Sequence, residues 1–406
     1  MQRLLEKKLK VAIYSGFIPA PFFIEVLIKE LARNNLDIFI FGRKKSDYKF
    51  KSQKNISTFL SPSNKILLIP YTFLQMLHLF FTKPKFLFKL YIYYQANSKR
   101  PIKFFQWWSK VLPVVIHLPD IFHIQWAKSL PEWFFLKELF GVKIVLSLRG
   151  TQITSTPLSD KYFHRQYKKL FSKVDGLHAV SKSLSQLAKK YIDQKQKIKI
   201  IYSAIHVFPN RSELKEIKKY ENSFNFISVG RFHWMKGYQY TLSALQILLN
   251  ENYKVKYTIL SIDEPTDEIL YQISDLNIEE HVQILVGLNQ NRVFEKMRDS
   301  DCLILPSVSE GLANVVLESM SIGLPVLSSN CGGMGEVIKD NFNGFIFDNR
   351  SVNNLTKKMR YIIELEDKIM KKIAINGYNF VKNQHTTEKL VFGMKSLYKK
   401  TLEPID

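Results

Sequence analysis

Cysteine is nearly absent from this 406-residue chain. Only Cys302 and Cys331 occur, and neither has a set of metal-ligating residues beside it in the sequence. A disulfide framework needs several paired cysteines, and a structural zinc site needs a cluster of ligands at short spacing. The sequence therefore favours neither kind of scaffold, and it indicates a reducing compartment, the cytoplasm.

Long hydrophobic runs are also missing. The longest, Ile66 to Phe81, falls short of the roughly 20 residues that a membrane-spanning helix needs. It is interrupted by Pro70, Gln75 and His78. The basic N-terminus lacks a small-residue cleavage site, so no signal peptide is predicted. We expect the chain not to cross a membrane.

Acidic residues are scarce in the first half of the chain only. Residues 1–200 contain 35 Lys and Arg against 11 Asp and Glu, whereas residues 201–406 contain 24 against 25. The net charges are thus +24 and −1, which sum to the +23 of the whole chain. A lysine-rich genome would raise both halves alike, so a local cause must favour positive charge in the first half.

The segment Arg43 to Lys110 concentrates this charge. It holds fourteen Lys or Arg and one acid, Asp47, interleaved with sixteen aromatic residues that include Phe80-Phe81 and Trp107-Trp108. Basic residues beside exposed aromatics are typical of surfaces that meet an anionic membrane. The alternative is that the aromatics form ordinary core and the lysines its solvated rim. No nucleic-acid-binding motif accompanies the charge, so nucleic acid is not an expected partner.

Strand and helix signals alternate along the chain. Short apolar strands are predicted at Lys10 to Tyr14, Asp37 to Phe41, Ile121 to Gln125 and Lys143 to Leu148, with a helix at Phe22 to Asn34. This alternation predicts a doubly wound α/β domain. A polar stretch, Pro209 to Ser223, marks a linker, and the same architecture repeats from Phe224. The length suits two domains of this kind.

Two carboxylates flank a strand-to-helix junction in the second half. Asp301 to Pro306 predicts a buried strand, and Leu312 to Ile322 an amphipathic helix. A helix N-terminus at the carboxyl end of a parallel strand offers free N–H groups to an anionic diphosphate. Glu310 precedes the helix and Glu318 lies about two turns inside it, so one can meet a sugar and the other a ribose. Alone, such glutamates are more often solvated helix residues.

A second junction carries two cations. Phe224 to Gly230 predicts another buried strand, followed by Arg231 and then by Lys236-Gly237 at the start of a helix. Positive charge here could neutralise a leaving diphosphate, more strongly in a water-poor cleft than on an open surface. The alternative is a solvated arginine and lysine in a loop.

Four motifs in order resemble the retaining glycosyltransferases of family 4, which have the GT-B fold. They are VGRFHWMKG (Val229 to Gly237), LPSVSEGLANVVLE (Leu305 to Glu318), GLPVLSS (Gly323 to Ser329) and CGGMGEVI (Cys331 to Ile338). The resemblance implies two Rossmann-like α/β domains that face each other across a cleft. Residues 1–206 would bind the acceptor, 207–223 would link the domains, 224–386 would bind the nucleotide sugar, and a helix in 387–406 would pack back on the first domain.

The resemblance also implies residue roles. Arg231 and Lys236 would hold the diphosphate, Glu310 the donor sugar near the reacting carbon, and Glu318 the ribose hydroxyls. Further donor-binding positions are the backbone of Gly311, Leu312, Ala313 and Asn314 at the helix end, and Gly332 and Gly333, which would let a loop approach the sugar. In this class the leaving phosphate takes the acceptor proton, and no metal or other cofactor is expected.

The first half departs from the family pattern at its own candidate positions. Gly16 is a single glycine where the family often has a pair, and Arg149 stands where a histidine commonly precedes the glycine. Both are candidates for contact with the acceptor or the cleft, although a strand-end arginine is often a plain salt-bridge partner. Ser181 is predicted as a helix N-cap. Ser261-Ile262-Asp263 lacks the glycines expected near the nucleotide base.

The resulting hypothesis is transfer of a sugar, with retention, from a UDP- or GDP-sugar to a saccharide that is growing or linked to a polyprenyl lipid. This would serve cell-surface polysaccharide synthesis on the inner face of the cytoplasmic membrane, with the protein bound peripherally. Two alternatives stay open at this point. One is a sugar-nucleotide epimerase or phosphorylase of the same fold, and the other is a catalytically silent binding subunit of a polysaccharide assembly complex.

Overall fold

The structure, a computed structural model, describes residues 8–45, 54–97, 104–193, 197–205, 214 and 223–403. The chain divides into two compact units. Unit one comprises Met1–Ala179, Leu187–Ile201 and Leu390–Asp406, and unit two comprises Val180–Gln186 and Tyr202–Lys389. The predicted linker lies outside the described residues except at Leu214 and Ser223, and the predicted domain bounds stay a prediction.

Unit one contains a seven-stranded parallel sheet in the order β3-β2-β1-β4-β5-β6-β7. The strands are β1 (Lys10–Ile18), β2 (Asp37–Lys44), β3 (Ile56–Ser61), β4 (Ile121–Ile124), β5 (Lys143–Leu148), β6 (Gly176–Ala179) and β7 (Ile198–Ile200). The central strands are buried, as their near-continuous apolar runs require. All four strands predicted in this unit are present, and β1 continues past Tyr14 through an irregularity before Phe17.

Helices connect these parallel strands. They are α1 (Phe22–Arg33), α2 (Lys65–Thr82), α3 (Pro84–Asn97), α4 (Phe104–His117), α5 (Leu130–Trp133), α6 (Phe135–Phe140), α7 (Thr151–Thr154), α8 (Thr156–Ser159), α9 (Lys161–Leu170) and α10 (Lys182–Ala188). Buried Ile24, Leu27 and Leu31 give α1 the spacing of one helix face, which packs on the core.

Unit two contains a six-stranded parallel sheet in the order β10-β9-β8-β11-β12-β13. The strands are β8 (Phe224–Val229), β9 (Val255–Ser261), β10 (Val282–Val286), β11 (Cys302–Leu305), β12 (Val326–Ser329) and β13 (Phe345–Phe347). The helices are α11 (Tyr238–Asn250), α12 (Asp267–Asp275), α13 (Gln290–Arg298), α14 (Asn314–Ser321), α15 (Met334–Val337), α16 (Val352–Glu364), α17 (Asp367–Gln384) and α18 (Thr387–Leu402). The predicted fold class, two doubly wound α/β domains, is confirmed.

The last helix, α18, begins in unit two and is grouped with unit one from Leu390 onward. Its side chains enter the core of unit one at two points. Tyr398 is fully buried and its hydroxyl lies 2.8 Å from His123 Nδ1, and Thr401 is buried near Gly176. Helix α18 is therefore part of the packing of the first sheet.

Helix α2 is apolar on both of its faces. Leu68, Thr72 and Leu79 are buried along one side, where α2 packs on α4. Eight large apolar side chains are exposed on the rest of its surface: Ile66, Leu67, Ile69, Phe73, Leu74, Leu77, Phe80 and Phe81. In the described part of the chain it is the one helix that is long and apolar enough to cross a membrane by length and composition. We call Arg43 to Lys110 the aromatic segment. Its described residues are thus partly core, as fully buried Trp108 shows, and partly surface.

Candidate functional site

Two loops of unit two bring the predicted polar residues together. Strands β8 and β11 are direct neighbours and run parallel, so their carboxyl ends lie at the same edge of the sheet. Arg231 and Lys236 follow β8, and Glu310 follows β11. A single 3-10 turn, Trp234–Lys236, places the lysine and ends at Gly237 with φ 69°. We call Arg231, Lys236, Ser307, Glu310 and Gly332 the strand-end site.

An ion pair joins the two loops. Lys236 Nζ donates a hydrogen bond to Glu310 Oε1 over 2.6 Å, and the Ser307 hydroxyl donates to the same oxygen over 2.9 Å. The side chains of Lys236 and Glu310 are 27% and 16% exposed, so the pair is only partly screened by water. Their mutual orientation is therefore fixed, while each keeps some surface for a ligand. Ser307 was missed as a contact by the sequence reasoning, although it lies in the quoted LPSVSEG segment.

Glycines allow three segments to approach closely at this site. A Cβ added to Gly332 would lie 1.7 Å from the Glu310 carbonyl oxygen, and the φ of Gly332 is +54°. One added to Gly333 would lie 2.3 Å from the Gly311 carbonyl oxygen, and one at Gly237 would lie 2.1 Å from that of Pro306. Real Cβ atoms do not make such contacts, so only glycine fits these positions. The loop after β12 thus lies directly against the Glu310 loop.

Helix α14 begins beside Glu310, two residues later than predicted. It spans Asn314–Ser321, and Leu312 and Ala313 belong to the preceding loop. The cap residue Ala313 has an extended backbone and no side-chain hydrogen bond to the helix, because alanine has no polar atom to offer. The first N–H groups of α14 are therefore left uncapped by side chains, as an anion-binding helix end requires.

Glu318 lies just over one turn into α14, not two, because the helix starts late. Burial raises the pKa of its carboxyl group to about 7. Within the described residues this carboxyl has no hydrogen-bond donor. The carboxyl group is therefore partly ionised near pH 7 and can accept hydrogen bonds. It suits a ligand that supplies hydroxyl groups.

A cavity of about 210 Å³ adjoins Arg231 in unit two. It is lined by Val229, Gly230, Arg231, Leu260, Ser261, Ile262, Leu288 and Val293. The Arg231 side chain is exposed and has no carboxylate partner among the residues described in this unit. The apolar walls come from strand ends and from α13, a combination that the sequence reasoning did not assemble, because these residues are distant in the chain.

Two further contacts support the loops of unit two. The Ser181 hydroxyl accepts a hydrogen bond from the Leu184 N–H over 3.2 Å, which confirms its predicted capping role. Glu336, in the CGGMGEVI segment, accepts from the N–H groups of Lys182 and Ser183 and from the Tyr202 hydroxyl, at 2.8 to 2.9 Å. Glu336 was not singled out from the sequence because its partners lie more than 130 residues away.

The remaining candidates, Gly16 and Arg149, lie in unit one. Gly16 has φ +90°, and a Cβ added to it would meet no atom within 4 Å. Arg149 directly follows β5 and is 9% exposed. Its Nη2 donates to Gln125 Oε1 over 3.1 Å, and its Cζ lies 4.8 Å from the centre of the Phe23 ring. The structure therefore groups ten of the twelve predicted site residues in unit two and these two in unit one.

Part of the chain matches a known family. Residues 210–380 match the family model described as glycosyl transferases group 1. That segment contains all four quoted motifs and the whole strand-end site.

Two relatives are each 25% identical to this chain. The chain is 25% identical over 295 residues to the UDP-Gal:alpha-D-GlcNAc-diphosphoundecaprenol alpha-1,3-galactosyltransferase of Escherichia coli. The aligned region covers 69% of this chain and 75% of that protein. It is 25% identical over 289 residues to the N-acetyl-alpha-D-glucosaminyl L-malate synthase of Bacillus anthracis, covering 69% and 74%. Its fold is similar to that of HepE from Anabaena, whose structure was solved in complex with UDP-glucose. The TM-score is 0.70 and the identity 15%, over 96% of this chain and 100% of that one.

Proposed function

Because residues 210–380 match the model of the group 1 glycosyltransferases, we propose that the protein transfers a sugar from a UDP- or GDP-sugar to a saccharide acceptor, with retention of configuration. The observation that carries this proposal is the Lys236–Glu310 pair beside the uncapped start of α14. It places fixed cations, free N–H groups and carboxylates at one edge of a parallel sheet, where nucleotides bind in this fold class.

The donor diphosphate would lie against Arg231, Lys236 and the N-terminus of α14. Arg231 has no protein counter-charge among the described residues, so a phosphate would supply one. Lys236 already has Glu310 as a partner, and a bound diphosphate would share that lysine. The free carboxyl of Glu318 would accept hydrogen bonds from ribose hydroxyls, and the cavity beside Ile262 and Leu288 would receive the base.

The reaction then requires little proton chemistry from the protein. An acceptor hydroxyl would attack the anomeric carbon of the donor, the bond from that carbon to the diphosphate oxygen would break, and the leaving phosphate would take the hydroxyl proton. Positive charge on Arg231 and Lys236 stabilises the leaving group, and Glu310 orients the sugar. These fixed cations can do the work of a divalent ion, so we propose that transfer needs no metal.

The acceptor is proposed to be a growing or lipid-linked saccharide of a cell-surface polysaccharide. The Escherichia coli relative is named for a diphosphoundecaprenol acceptor and for UDP-Gal, which supports this class of acceptor and a UDP donor. The complex of HepE with UDP-glucose supports the same donor nucleotide.

We further propose that unit one meets the cytoplasmic face of the membrane through α2 and α3. The exposed side of α2 is apolar, and Phe88, Tyr91 and Ile92 are exposed on α3 beside Lys85 and Lys89. Apolar side chains flanked by lysines match the acyl boundary and the anionic headgroups of a bilayer. Since Leu68, Thr72 and Leu79 pack on the protein, α2 would lie in the plane of the interface and would not be surrounded by lipid.

One experiment tests the catalytic proposal. The Tm of the protein is measured with each of a panel of UDP- and GDP-sugars. The protein is then incubated with the donor that raises its Tm and with a diphosphoundecaprenyl-linked saccharide. We expect one donor to stabilise the protein and to transfer its sugar. Release of an epimerised donor without acceptor would identify an epimerase instead. Tight donor binding without turnover on any lipid-linked saccharide would identify a silent subunit.

A further inference from the structure

The carboxyl ends of β1, β4 and β5 form a switch point in the sheet of unit one. From β1 the chain winds outward through β2 and β3, and from β4 it winds the other way through β5, β6 and β7. Loops part at such a point and leave a crevice outside the strand ends, where ligands of doubly wound sheets bind. Gln125 and Arg149 directly follow β4 and β5, and Gly16 lies two residues before the end of β1.

Open space adjoins Gly16 and also Gly150, the residue after Arg149. A Cβ added to Gly16 or to Gly150 would meet no atom within 4 Å, and both residues have positive φ values, +90° and +42°. Gln125 is held firmly between them, because its N–H donates to the Tyr14 carbonyl oxygen over 3.0 Å and extends the β1–β4 ladder. The strand ends are thus ordered while the space beside the glycines stays unfilled.

Arg149 brings a buried charge to this crevice without a counter-charge. Its polar contacts are Gln125 Oε1 and the face of the Phe23 ring, neither of which is an anion. Among the described residues no carboxylate lies within salt-bridge distance of it. In unit one, Asp175 binds Lys137 and Lys143, and Glu132 binds Lys110.

Two donor atoms at the same place lack acceptors. Arg149 Nε and Gln125 Nε2 are both buried and have no hydrogen-bond partner in the described structure. Buried donors are almost always satisfied, and a buried charge without a partner is costly. The buried rings of His123 and His178 cannot accept from them, because their nitrogens hydrogen-bond to Tyr398, Ser147 and the Ile201 carbonyl oxygen. Within the described residues no acceptor is in place for these two atoms, so both can donate to a bound ligand.

We propose that Arg149 and Gln125 form an anion subsite of unit one that binds a phosphate or carboxylate group of the acceptor. That the ligand is the sugar acceptor rests on the proposed function, whereas the subsite itself consists of residues of unit one alone. A guanidinium offers a planar pair of N–H donors that matches two oxygens of either group, and the amide N–H of Gln125 adds a third donor. The protein would accordingly select acceptors that carry such a group over neutral sugars.

The test uses the full chain with saturating UDP, so that the diphosphate site of unit two is occupied. Binding of N-acetylglucosamine 1-phosphate, methyl glucuronide and neutral methyl glucoside is followed by the rise in Tm. The wild type is compared with Arg149→Met, with Arg149→Lys, and with Arg165→Met, which removes an exposed arginine of the same unit. We expect at least one anionic probe, and not methyl glucoside, to stabilise the wild type and Arg165→Met. The probe that binds tells a phosphate-bearing acceptor from a carboxylate-bearing one.

In Arg149→Met we expect the affinity for that probe to fall by roughly 10-fold or more. Arg149→Lys keeps the positive charge but lacks the planar pair of N–H donors, so this variant should also bind the probe more weakly than the wild type. It provides the test if Arg149→Met does not fold. Equal stabilisation by the probe in the wild type and in both Arg149 variants, or none in the wild type, overturns the proposal. A wild type that does not respond to UDP contradicts the donor assignment alone, because the anion titration can then be run without UDP.

Melting without ligand gives a second, independent signature. If the Arg149 guanidinium meets an anion only when a ligand is bound, Arg149→Met without ligand should melt at the same temperature as the wild type or higher, because an unpaired buried cation has been removed. A purely structural arginine predicts a lower Tm for this variant together with no response of the wild type to either anion. That combination would exclude the subsite.

Discussion

Lys236 Nζ and Glu310 Oε1 lie 2.6 Å apart although 74 positions separate the two residues in the chain. The contact joins the loops after β8 and β11, and it is part of the site proposed to bind the donor. Removing either partner leaves the other partly buried and uncompensated. The pair is therefore the first place to test the assignment.

Lys236→Ala and Glu310→Ala should each lower sugar transfer by roughly 10²-fold or more, because each removes a charged group that acts on the reacting diphosphate or sugar. Steady-state transfer assays measure this, and circular dichroism checks the fold. Lys358→Ala is the matched control, since Lys358 forms a 2.7 Å ion pair with Asp340 in the same unit. Near-normal turnover in both site variants would remove the assignment.

Gly332→Ala should abolish donor binding and lower stability. The new methyl group would collide with the Glu310 carbonyl oxygen, and the φ of +54° would strain any side chain. Gly335→Ala is the control three residues away, because its nearest contact would be an ordinary 3.5 Å from Asn330 Oδ1. Isothermal titration with UDP compares the two variants. Equal UDP affinity in both would show that this close approach does not shape the site.

Glu318 should make stability fall as pH rises. Burial raises the pKa of its carboxyl group from 4.5 to about 7, so between these values the folded protein holds a proton that the unfolded chain has lost. Stability from this group is complete below pH 4.5 and is lost as pH rises through 7. Glu318→Gln should therefore melt higher than the wild type at pH 8 and equally at pH 4.5.

The matched control for this titration is Glu295→Gln on exposed α13, which should leave the pH dependence unchanged. UDP affinity adds a readout that a purely structural glutamate would not give. The terminal phosphate of UDP also loses a proton in this range, so the two variants are compared. If Glu318 binds the ribose as a carboxylate, affinity should increase more steeply through pH 7 in the wild type than in Glu318→Gln. Identical pH profiles in the two would contradict the ribose assignment.

Two buried histidines of unit one should act in the opposite direction. Burial lowers the pKa of His178 to about 3 and that of His123 well below its usual value, and the Arg149 charge contributes to both. In the unfolded chain these rings take up protons near pH 6.5, so stability from this source is full above that pH and is lost as pH falls. Urea titrations from pH 8 to pH 4 should show this loss. His178→Gln should reduce it, whereas His281→Gln in unit two should not.

The exposed face of α2 should bind membranes. The triple variant Phe73→Ser, Phe80→Ser, Phe81→Ser is expected to weaken binding to phosphatidylglycerol-containing vesicles by roughly 10-fold or more, because three large apolar groups no longer enter the interface. High salt should also release the wild type from the vesicles, because salt screens the attraction between Lys85 and Lys89 of α3 and the anionic headgroups. Flotation with vesicles measures both effects.

A matched control removes equally exposed aromatics from elsewhere: Tyr271→Ser, Phe342→Ser and Phe392→Ser. These three changes should leave vesicle binding unaltered. Should the wild type ignore vesicles and instead self-associate, with self-association lost in the α2 variant, the face would be an interface between copies of this chain. Light scattering in the absence of lipid distinguishes this outcome.

Much of the fold could be predicted because parallel strands buried on both sides need continuous apolar runs, and the runs at Lys10, Lys143, Phe224 and Cys302 are of that kind. Element ends were less accurate. Helix α14 begins at Asn314 and not at Leu312, because the backbone of Ala313 is extended and not helical. That choice depends on the neighbouring loop at Gly332, which local periodicity does not contain.

The site residues were predictable in kind but not in their contacts. Arg231, Lys236, Glu310 and Glu318 stood out because polar residues follow buried strands. Ser307, Gln125 and Glu336 did not, since serine, glutamine and glutamate are common in loops and only their partners give them a role. The aromatic segment shows the same division. Its composition cannot tell fully buried Trp108 from exposed Phe81, because both lie in apolar helices.

The sequence by itself determined the two parallel sheets, the order of their elements and the presence of cations and acids at particular strand ends, since these follow from short-range periodicity and turn chemistry. The tertiary structure alone decided which of these charges meet a partner. It paired Lys236 with Glu310 and exposed the second face of α2, and among the described residues it left the Glu318 carboxyl without a hydrogen-bond donor and the Arg149 guanidinium without an anionic partner. Burial and the distance between charges depend on segments far apart in the chain, and the free energies that give a side chain its function depend on these two quantities.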